Sequence, residues 1–280
     1  MRVLVTGAGG LLGRALQTTL PDLGLPVIAL THDQLDVTDT EQTAAAIGHH
    51  QPGVVINCAA YTRVDDAEAN EQAAYRVNAL AVEALAAICA RHRIRLVYPS
   101  TDYVFDGNSA QPYKPADVPH PINAYGRSKL AGEEKARAAG DHLIIRTSWL
   151  FGGGGSNFVR TIANRLHAGE ALRIVNDQTG RPTCAHDLAQ GIGKLLVSEV
   201  PSGTYHMANT DTATWFTFAR EIAARVGKSE LITPCTTADY PRPARRPASS
   251  VLDTSAADAL IGPLRSWREA LADAISRGDY

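Results

Sequence analysis

The start of the sequence constrains the fold more than any other feature. Arg2–Thr6 is a short apolar run typical of a β-strand, and Gly7–Gly13 follows it directly. Leu12, Leu16 and Leu20 then recur at helical spacing. The glycines stand at i, i+3 and i+6, between the predicted strand and the predicted helix. Such glycines permit a tight turn and let a pyrophosphate approach the backbone at a helix N-terminus, so we predict a dinucleotide site here rather than an ordinary turn.

The same alternation continues through the first half of the chain. Strands that alternate with helices require crossover connections, which give a parallel sheet with helices on both faces. We therefore predict a doubly wound α/β fold of the Rossmann type. The predicted strands are Val27–Leu30, Val54–Ala60, Arg95–Pro99 and Leu143–Ser148, and the predicted helices run from a Thr38/Glu41 capping box to Ile47, from Asn70 to Arg91, and onward from Tyr125.

The second half is less regular and begins where Gly152–Gly155 interrupts the pattern. Its pieces are too mixed for one regular sheet, so we predict a smaller α/β lobe. Residues 1–151 would form the dinucleotide-binding domain and 152–280 mainly a substrate lobe, with some segments returning to the first domain. The ligands would then lie between the lobes, at the carboxyl ends of the strands. The predicted elements are helices near Asn157–His167, His186–Val197, Trp215–Val226 and from Trp267, and a strand at Leu172–Val175.

Composition excludes several classes of protein. The 280 residues carry a formal net charge of −2, which gives no electrostatic reason to expect nucleic acid or an anionic membrane surface as a partner. The sequence contains no run of about 18 apolar residues, and its N-terminal apolar run is too short for a signal peptide. The four cysteines form no C-x-x-C pair and the histidines show no zinc spacing, so we predict a cytosolic protein without a metal centre.

Tyr125 and Lys129 form the most specific local motif, Y-x-x-x-K. Residues four apart share one face of a helix, so the phenol and the ammonium would lie side by side. A nearby cation favours the phenolate and lowers a tyrosine pKa, as suits a group that transfers a proton. The alternative, a surface helix with an unrelated Tyr and Lys, is less favoured because the pair follows the fourth strand of a dinucleotide-binding pattern.

Thr101 follows the fourth predicted strand, within Pro99–Phe105. This strand end faces the crevice, where a hydroxyl can reach a substrate carbonyl oxygen. A Thr-Asp pair also initiates turns, and the sequence alone leaves that reading open. Together with Tyr125 and Lys129, Thr101 would complete a Thr–Tyr–Lys constellation.

The second strand bears on the choice of cofactor. An acidic residue at its end usually holds the ribose 2′-hydroxyl of NAD, but here Leu30 is followed by Thr31 and His32, with Asp33 beyond. Arg14 stands just past the glycine motif and would not repel a 2′-phosphate. The missing carboxylate and the position of Arg14 favour NADPH and leave NADH open. The alternative for Arg14 is that it is simply a solvated helix residue.

Several motifs occur in order along nearly the whole chain. They are Val5-Thr6-Gly7 with the glycine turn, Leu35-Asp36-Val37, Asn57 to Asp65, Ser100 to Gly107, Tyr125 to Glu133, Arg146 to Gly152, Asn157-Phe158, Asn176 to Thr183 and Arg245-Arg246-Pro247. With these motifs the chain resembles the extended short-chain dehydrogenase/reductase family and, within it, the dTDP-4-dehydrorhamnose reductases. Thr179 stands where an aromatic residue is common in that family and Ser249 where Asn is usual, so the resemblance does not fix the sugar.

The resemblance implies the ligands of each site. The dinucleotide would be lined by the glycine turn (Gly7, Gly10, Leu11, Leu12, Gly13), by Asp36, Val37, Ala60, Tyr61 and Thr62, and by Tyr125 and Lys129. The sugar nucleotide would contact Thr101, Asp102, Trp149, Asn157 and Arg181, with Arg245 and Arg246 as further candidates for its pyrophosphate.

The resemblance also implies a reaction, the NAD(P)H-dependent reduction of the C4 ketone of a dTDP-6-deoxy-4-keto-hexose. The expected product is dTDP-L-rhamnose, from dTDP-4-dehydro-L-rhamnose. Tyr125 would protonate the forming alkoxide, Lys129 would lower the Tyr125 pKa and hold the nicotinamide ribose, and Thr101 would hydrogen-bond the same oxygen. Some relatives pair through a metal-bridged interface, but the sequence has no clear acidic cluster for one, so Mg²⁺ and a homodimer stay open.

Three other functions fit parts of the pattern. A 4,6-dehydratase shares the fold but typically has Thr-Asp-Glu where this chain has Thr101-Asp102-Tyr103. A 4-epimerase would retain its cofactor through turnover, and a 4-ketoreductase of another deoxysugar would differ in substrate. A non-catalytic subunit of the same fold is disfavoured by the intact Thr101, Tyr125 and Lys129.

Overall fold

A six-stranded parallel sheet forms the centre of the larger lobe in the computed structural model, which describes residues 1–279. The chain passes from β1 to β2 on one side and then crosses back to β3, so the strand order reverses between β1 and β3. The doubly wound α/β prediction is confirmed. Numbered along the chain, the strands in sheet order are β2 (Val27–Leu30), β1 (Val3–Thr6), β3 (Val54–Asn57), β4 (Arg95–Thr101), β5 (His142–Thr147) and β10 (Gly203–His206).

Helices cover both faces of this sheet, which explains why its central strands read as continuous apolar runs. Val3 and Val5 face a layer that contains α1 and α8, whereas Leu4 between them faces the opposite layer. The first layer holds α1 (Leu11–Thr19) and α8 (Ala185–Val197); the second holds α2 (Thr40–His50), α5 (Ala81–His92) and α6 (Ala124–Ala136).

The predicted helix Asn70–Arg91 is a continuous helical stretch with a change of pitch. After α3 (Val64–Ala69), it comprises α4 (Glu71–Tyr75), one π-helical turn (Arg76–Leu80) and α5. By length and composition Glu71–His92 could cross a membrane, but half of its most apolar window is buried inside the protein. It packs against α2 and α6, as a core helix does.

The smaller lobe is built from short strand pairs and helices around its own apolar core, which contains Phe151, Phe218 and Trp267. Although β10 and α8 follow residue 151, they lie in the larger lobe; the division at that residue stays a prediction. The pairs are β6 (Leu150–Phe151) with β9 (Thr183–Cys184), β7 (Leu172–Val175) with β12 (Ile232–Cys235), and antiparallel β8 (Thr179–Gly180) with β11 (Ala213–Thr214); the helices are α7 (Phe158–His167), α9 (Trp215–Arg225) and α11 (Trp267–Ser276). α10 (Ser255–Ile261) packs against α8 and β10 of the larger lobe instead.

Several predicted boundaries are wrong by a few residues, and two of them have clear local reasons. Asp39, not Thr38, caps α2, because its Oδ1 accepts the N–H groups of Glu41 and Gln42 at 3.0 Å each. Thr38 instead donates its N–H and hydroxyl to Asp36. β3 ends at Asn57 rather than Ala60, since the chain leaves the sheet there to form part of the wall of a large cleft.

Candidate active site

A cleft of about 960 Å³ lies at the carboxyl ends of the parallel strands. It brings together almost all the residues that the sequence predicts for the site. Arg181 is outside the set of described residues that line the cleft, and its Nη1 donates instead to the Thr254 hydroxyl at 3.1 Å. The predicted residues that line it are Gly7, Gly10, Leu11, Leu12, Gly13, Asp36, Val37, Ala60, Tyr61, Thr62, Thr101, Asp102, Tyr125, Lys129, Trp149 and Asn157.

The glycine turn is required sterically at two positions. Gly7 has φ +59°, and a Cβ there would lie 2.5 Å from the Ala59 nitrogen. A Cβ on Gly13 would lie 2.7 Å from the Gly7 oxygen. Gly10 is the N-cap residue of α1, and within residues 1–279 no side chain caps this helix end. The N–H groups of the first turn are therefore available to an anion. The residues present therefore fit the diphosphate of a dinucleotide.

The next part of the wall would hold the adenosine ribose. The Asp36 carboxylate accepts the Thr38 N–H at 2.9 Å and the Thr38 hydroxyl at 2.8 Å. These bonds, helped by His32 and Arg76, hold the pKa of Asp36 below its usual value. The Arg14 guanidinium, which the sequence places near a 2′-phosphate or in solvent, donates to the carbonyls of Gly9 and Gly154. His32 lines the cleft here, whereas Asp33 does not belong to the described lining.

Asn78, which the sequence analysis left out of the site, connects the cofactor wall to α6. Its side chain accepts the Tyr61 N–H at 2.8 Å and donates to the Tyr61 carbonyl at 3.0 Å. It also donates to the Ser128 hydroxyl, which in turn donates to the Tyr125 carbonyl at 2.7 Å. The π-helical turn places Asn78 in this position. A single buried amide therefore fixes the backbone of Tyr61 and the start of the Y-x-x-x-K turn.

Lys129 is buried one helical turn beyond Tyr125. Its Nζ donates to the Pro99 carbonyl at 2.8 Å and lies 4.0 Å from the centre of the Tyr98 ring. Burial lowers the pKa of Lys129 to about 7, although Glu133 and Cys58 act in the opposite direction. The Lys129 ammonium therefore loses its proton more readily than an exposed lysine does.

Tyr125 is partly buried beside Thr101 and Asp102. Burial raises the pKa of Tyr125 above its ordinary value, and the Asp102 charge adds to the effect, while a hydrogen bond with Thr101 opposes it. The expected lowering of this pKa by Lys129 is wrong for the protein without ligands, because burial dominates. A raised pKa keeps the phenol protonated at neutral pH, which is the state that a proton donor needs.

Asp102 is buried and hydrogen-bonded on both oxygens. The Thr101 hydroxyl donates to Oδ1 at 3.0 Å, and the Ser250 hydroxyl donates to Oδ2. Burial raises the pKa of Asp102 to about 6, and both of these hydrogen bonds oppose the rise. Sequence reasoning missed Ser250, because it lies in the second half and reaches Asp102 only through tertiary folding.

A fully buried ion pair supports the site from behind. Arg146 donates from Nε and Nη2 to the two oxygens of Glu133, at 2.9 Å and 2.7 Å. The Ser100 hydroxyl, at the cleft, donates to the same carboxylate at 2.6 Å. Glu133 follows Lys129 by one turn of α6, so the network fixes this face of the helix against β4 and β5.

The remaining candidates lie on the smaller lobe or near it. Asn157 lines the cleft, but its Oδ1 also caps α7 by accepting the Arg160 N–H at 3.2 Å. Arg246 pairs with Asp65, as does Arg242. Burial raises the pKa of Asp65, but these arginine hydrogen bonds outweigh it and hold that pKa well below its usual range. Among residues 1–279, no three His, Cys, Asp or Glu side chains could hold a metal ion together.

Known proteins are similar to this chain along almost its whole length. Residues 1–279 match the family model described as RmlD substrate binding domain. The chain is 42% identical to dTDP-4-keto-6-deoxy-D-glucose reductase of Streptomyces niveus over 98% of this chain and 96% of that one. It is 43% identical to dTDP-4-dehydrorhamnose reductase of Mycobacterium tuberculosis over 98% and 92%. The crystal structure of dTDP-4-dehydrorhamnose reductase from Bacillus anthracis in complex with NADP covers 99% of both chains, with a TM-score of 0.94 at 36% identity.

Proposed function

Because the chain belongs to the family described as RmlD substrate binding domain, we propose that it reduces the C4 ketone of a dTDP-6-deoxy-4-keto-hexose with a nicotinamide cofactor. The expected conversion is dTDP-4-dehydro-L-rhamnose to dTDP-L-rhamnose. One observation carries the proposal: Thr101, Tyr125 and Lys129 line the same cleft as the glycine turn. A proton donor and a dinucleotide cradle in one cleft suit a hydride-transfer enzyme.

The cofactor would lie between the glycine turn and Lys129. Gly7, Gly10 and Gly13 would hold the diphosphate, and the wall from Ala60 to Thr62 would support the nicotinamide half. When bound, the reduced nicotinamide supplies the hydride that adds to C4 of the sugar. The position of His32, without a carboxylate at the end of β2, favours NADPH over NADH.

The chain's own residues would supply the proton and the orientation. The Tyr125 hydroxyl donates its proton to the C4 oxygen as that oxygen becomes an alkoxide. The Thr101 hydroxyl would turn from Asp102 to donate a hydrogen bond to the same oxygen. Lys129 holds the nicotinamide ribose and stabilises the tyrosinate that proton transfer leaves behind. These steps balance, since C4 gains one hydride and its oxygen gains one proton.

The sugar nucleotide would occupy the part of the cleft between the two lobes. Asp102 would accept from a sugar hydroxyl, and Trp149 and Asn157 would contact the substrate from the second-lobe side. The candidates for pairing with the pyrophosphate are Arg181, Arg245 and Arg246. Arg181 and Arg246 would have to leave their present partners, Thr254 and Asp65, to do so.

The decisive experiment incubates the purified protein with NADPH and a panel of dTDP-4-keto sugars. We expect stoichiometric loss of the dihydronicotinamide absorbance and a 4-hydroxy sugar nucleotide by NMR. A parallel incubation of dTDP-4-hydroxy-hexoses with NAD⁺ covers the alternatives: inversion at C4 without net cofactor reduction would indicate a 4-epimerase, and loss of water to give a 4-keto-6-deoxy sugar a 4,6-dehydratase. Bound but never oxidised NADPH would indicate a non-catalytic subunit. A homodimer, Mg²⁺ dependence and a cytosolic location stay predictions that this assay leaves to separate measurements.

A further inference from the structure

Trp149 has an unusual backbone conformation for its side chain. Its φ is +50°, in the left-handed region that bulky residues rarely adopt. The residue lies between β5 and β6, where the chain leaves the larger lobe, and its side chain lines the cleft. Because such a conformation is unfavourable, surrounding contacts must hold it in place.

One of these contacts is an aromatic stack. The Trp215 ring lies parallel to the Trp149 ring, with centroids 3.6 Å apart and an interplanar angle of 8°. Trp215 also lines the cleft, and its ring packs against the Phe158 ring, with centroids 4.6 Å apart and an interplanar angle of 54°. Trp215 is therefore in position to fix the plane of the Trp149 indole at the wall of the cleft.

The second contact is a glycine. A Cβ on Gly180 would lie 2.6 Å from Cε2 of Trp149 and 2.8 Å from its Nε1. The φ of Gly180 is outside the left-handed region, so an alanine would be tolerated by the backbone and excluded only by the indole. Because Gly180 has no side chain, the Trp149 ring can occupy the space beside it.

The fold brings the two contacts together through one short strand pair. β8 and β11 pair antiparallel, with Gly180 opposite Ala213 and Thr179 opposite Thr214. Trp215 is the first residue of α9, directly after β11, and Thr214 caps that helix by accepting the Thr217 N–H. The pairing of β8 with β11 therefore sets Trp215 and Gly180 against the same indole.

We infer that Trp215 and Gly180 are positioning residues that hold the Trp149 indole in the orientation required to bind the sugar nucleotide. This inference rests on the proposed function for its substrate. Trp215 acts through Trp149, so its loss weakens substrate binding and leaves the proton donor and the cofactor site as they are. None of the residues named for the cofactor belongs to this stack.

The test compares Trp215→Ala, Trp215→Phe and Gly180→Ala with the wild type, and uses Phe216→Leu as the matched control. Phe216 is the next residue of α9 and packs with the apolar core of the smaller lobe, outside the described lining of the cleft. The measurements are KM for the sugar nucleotide, kcat, the Kd of NADPH, and the Kd of dTDP from quenching of tryptophan fluorescence.

For Trp215→Ala and Gly180→Ala we expect KM and the dTDP Kd to rise about tenfold, the effect of losing one well-stacked aromatic pair. The Kd of NADPH stays within about twofold, and kcat changes less than KM, because binding rather than the chemical step is affected. Trp215→Phe retains most of the affinity for the sugar nucleotide and for dTDP, since a phenyl ring can still stack on the indole. Phe216→Leu behaves as wild type.

The inference is overturned if the dTDP Kd of Trp215→Ala stays within twofold of wild type, or if NADPH affinity falls equally. It is also overturned if Trp215→Phe binds as poorly as Trp215→Ala. Should Trp215→Ala fail to fold, Gly180→Ala decides on the same criteria. The dTDP titration needs no turnover, so a wild type that reduces none of the keto sugars overturns the proposed function and leaves the binding test standing.

Discussion

The Ser250 hydroxyl donates a hydrogen bond to Oδ2 of Asp102, across 148 positions of the chain. The bond connects a segment of the second half to a buried carboxyl that lines the cleft. Because hydrogen bonds to the ionised form lower a carboxyl pKa, Ser250 limits the rise that burial causes in the pKa of Asp102. The protonation state of this site is thus set by both halves of the molecule.

The first prediction concerns the pH profile. The pKa of Asp102 is about 6, so we expect kcat/KM to fall below that pH, because a protonated carboxyl accepts more weakly from a sugar hydroxyl than the carboxylate does. Ser250→Ala removes a donor to the charged form and raises the pKa, so the acidic limb should move upward by about one pH unit. The measurement is kcat/KM against pH at saturating NADPH. An acidic limb at the same pH in both proteins would show that Asp102 does not control it.

The site also shows what sequence could and could not predict. The glycine turn, Thr101 and the Tyr125/Lys129 pair were found because each depends on spacing within one segment or directly after one strand. Their mutual proximity follows from the parallel sheet, whose strand ends meet at one edge. Sequence reasoning misses Trp215 and Ser250 because short, irregular segments bring Trp215 to the cleft and Ser250 to Asp102. Hydrophobic periodicity does not reveal such pairings.

Local competition explains the wrong details. Both Thr38 and Asp39 can cap a helix. Asp39 caps α2 because the Thr38 hydroxyl donates its hydrogen bond to Asp36. The Tyr125 pKa was expected to fall because only the neighbouring charge was visible in the sequence, whereas burial, which acts in the opposite direction, depends on the whole fold.

Tyr125→Phe tests the proton donor. The ring and its packing stay, so folding and the Kd of NADPH should change little, while loss of the general acid lowers turnover by about 10²–10⁴-fold. The loss should appear mainly in kcat, because the interaction strengthens in the transition state. Steady-state kinetics with NADPH and the accepted keto sugar measure it. A loss below about tenfold would remove Tyr125 from the role of acid.

Lys129→Met tests the buried ammonium through stability. Burial lowers the pKa of Lys129 from 10.5 to about 7, so the folded state binds the proton less tightly than the unfolded state does. The resulting destabilisation is complete below pH 7 and disappears as the pH rises towards 10.5. The methionine variant without ligands should therefore exceed wild type in Tm by a few degrees at pH 6, and the gain should shrink steadily up to pH 10. A gain independent of pH would contradict the lowered pKa, and the variant should in any case lose turnover and NADPH affinity.

His32→Asp tests the choice of cofactor. A wild-type cleft without a carboxylate at the end of β2 should bind NADPH at least as tightly as NADH. The new carboxylate would repel a 2′-phosphate and accept from a ribose hydroxyl, so the preference should move towards NADH by tenfold or more, about 1.4 kcal/mol. Fluorescence titrations with both cofactors measure it, with Asp33→Asn as the control. A tenfold NADH preference in the wild type would assign the ribose to Asp36 or Asp33 instead.

Glu133→Gln tests the ion pair behind the site. Arg146 and Glu133 are almost completely buried, so the substitution leaves a guanidinium charge without a counter-ion in the interior. Breaking such a pair typically costs about 3–5 kcal/mol, and urea unfolding of the protein without ligands should show a loss of that size. Glu83→Gln is the control, because Glu83 pairs with Lys135 at the surface and the expected cost is below about 1 kcal/mol. Equal losses for the two variants would mean that Arg146 finds another partner or reaches water, and that α6 is held against β4 and β5 by apolar packing alone.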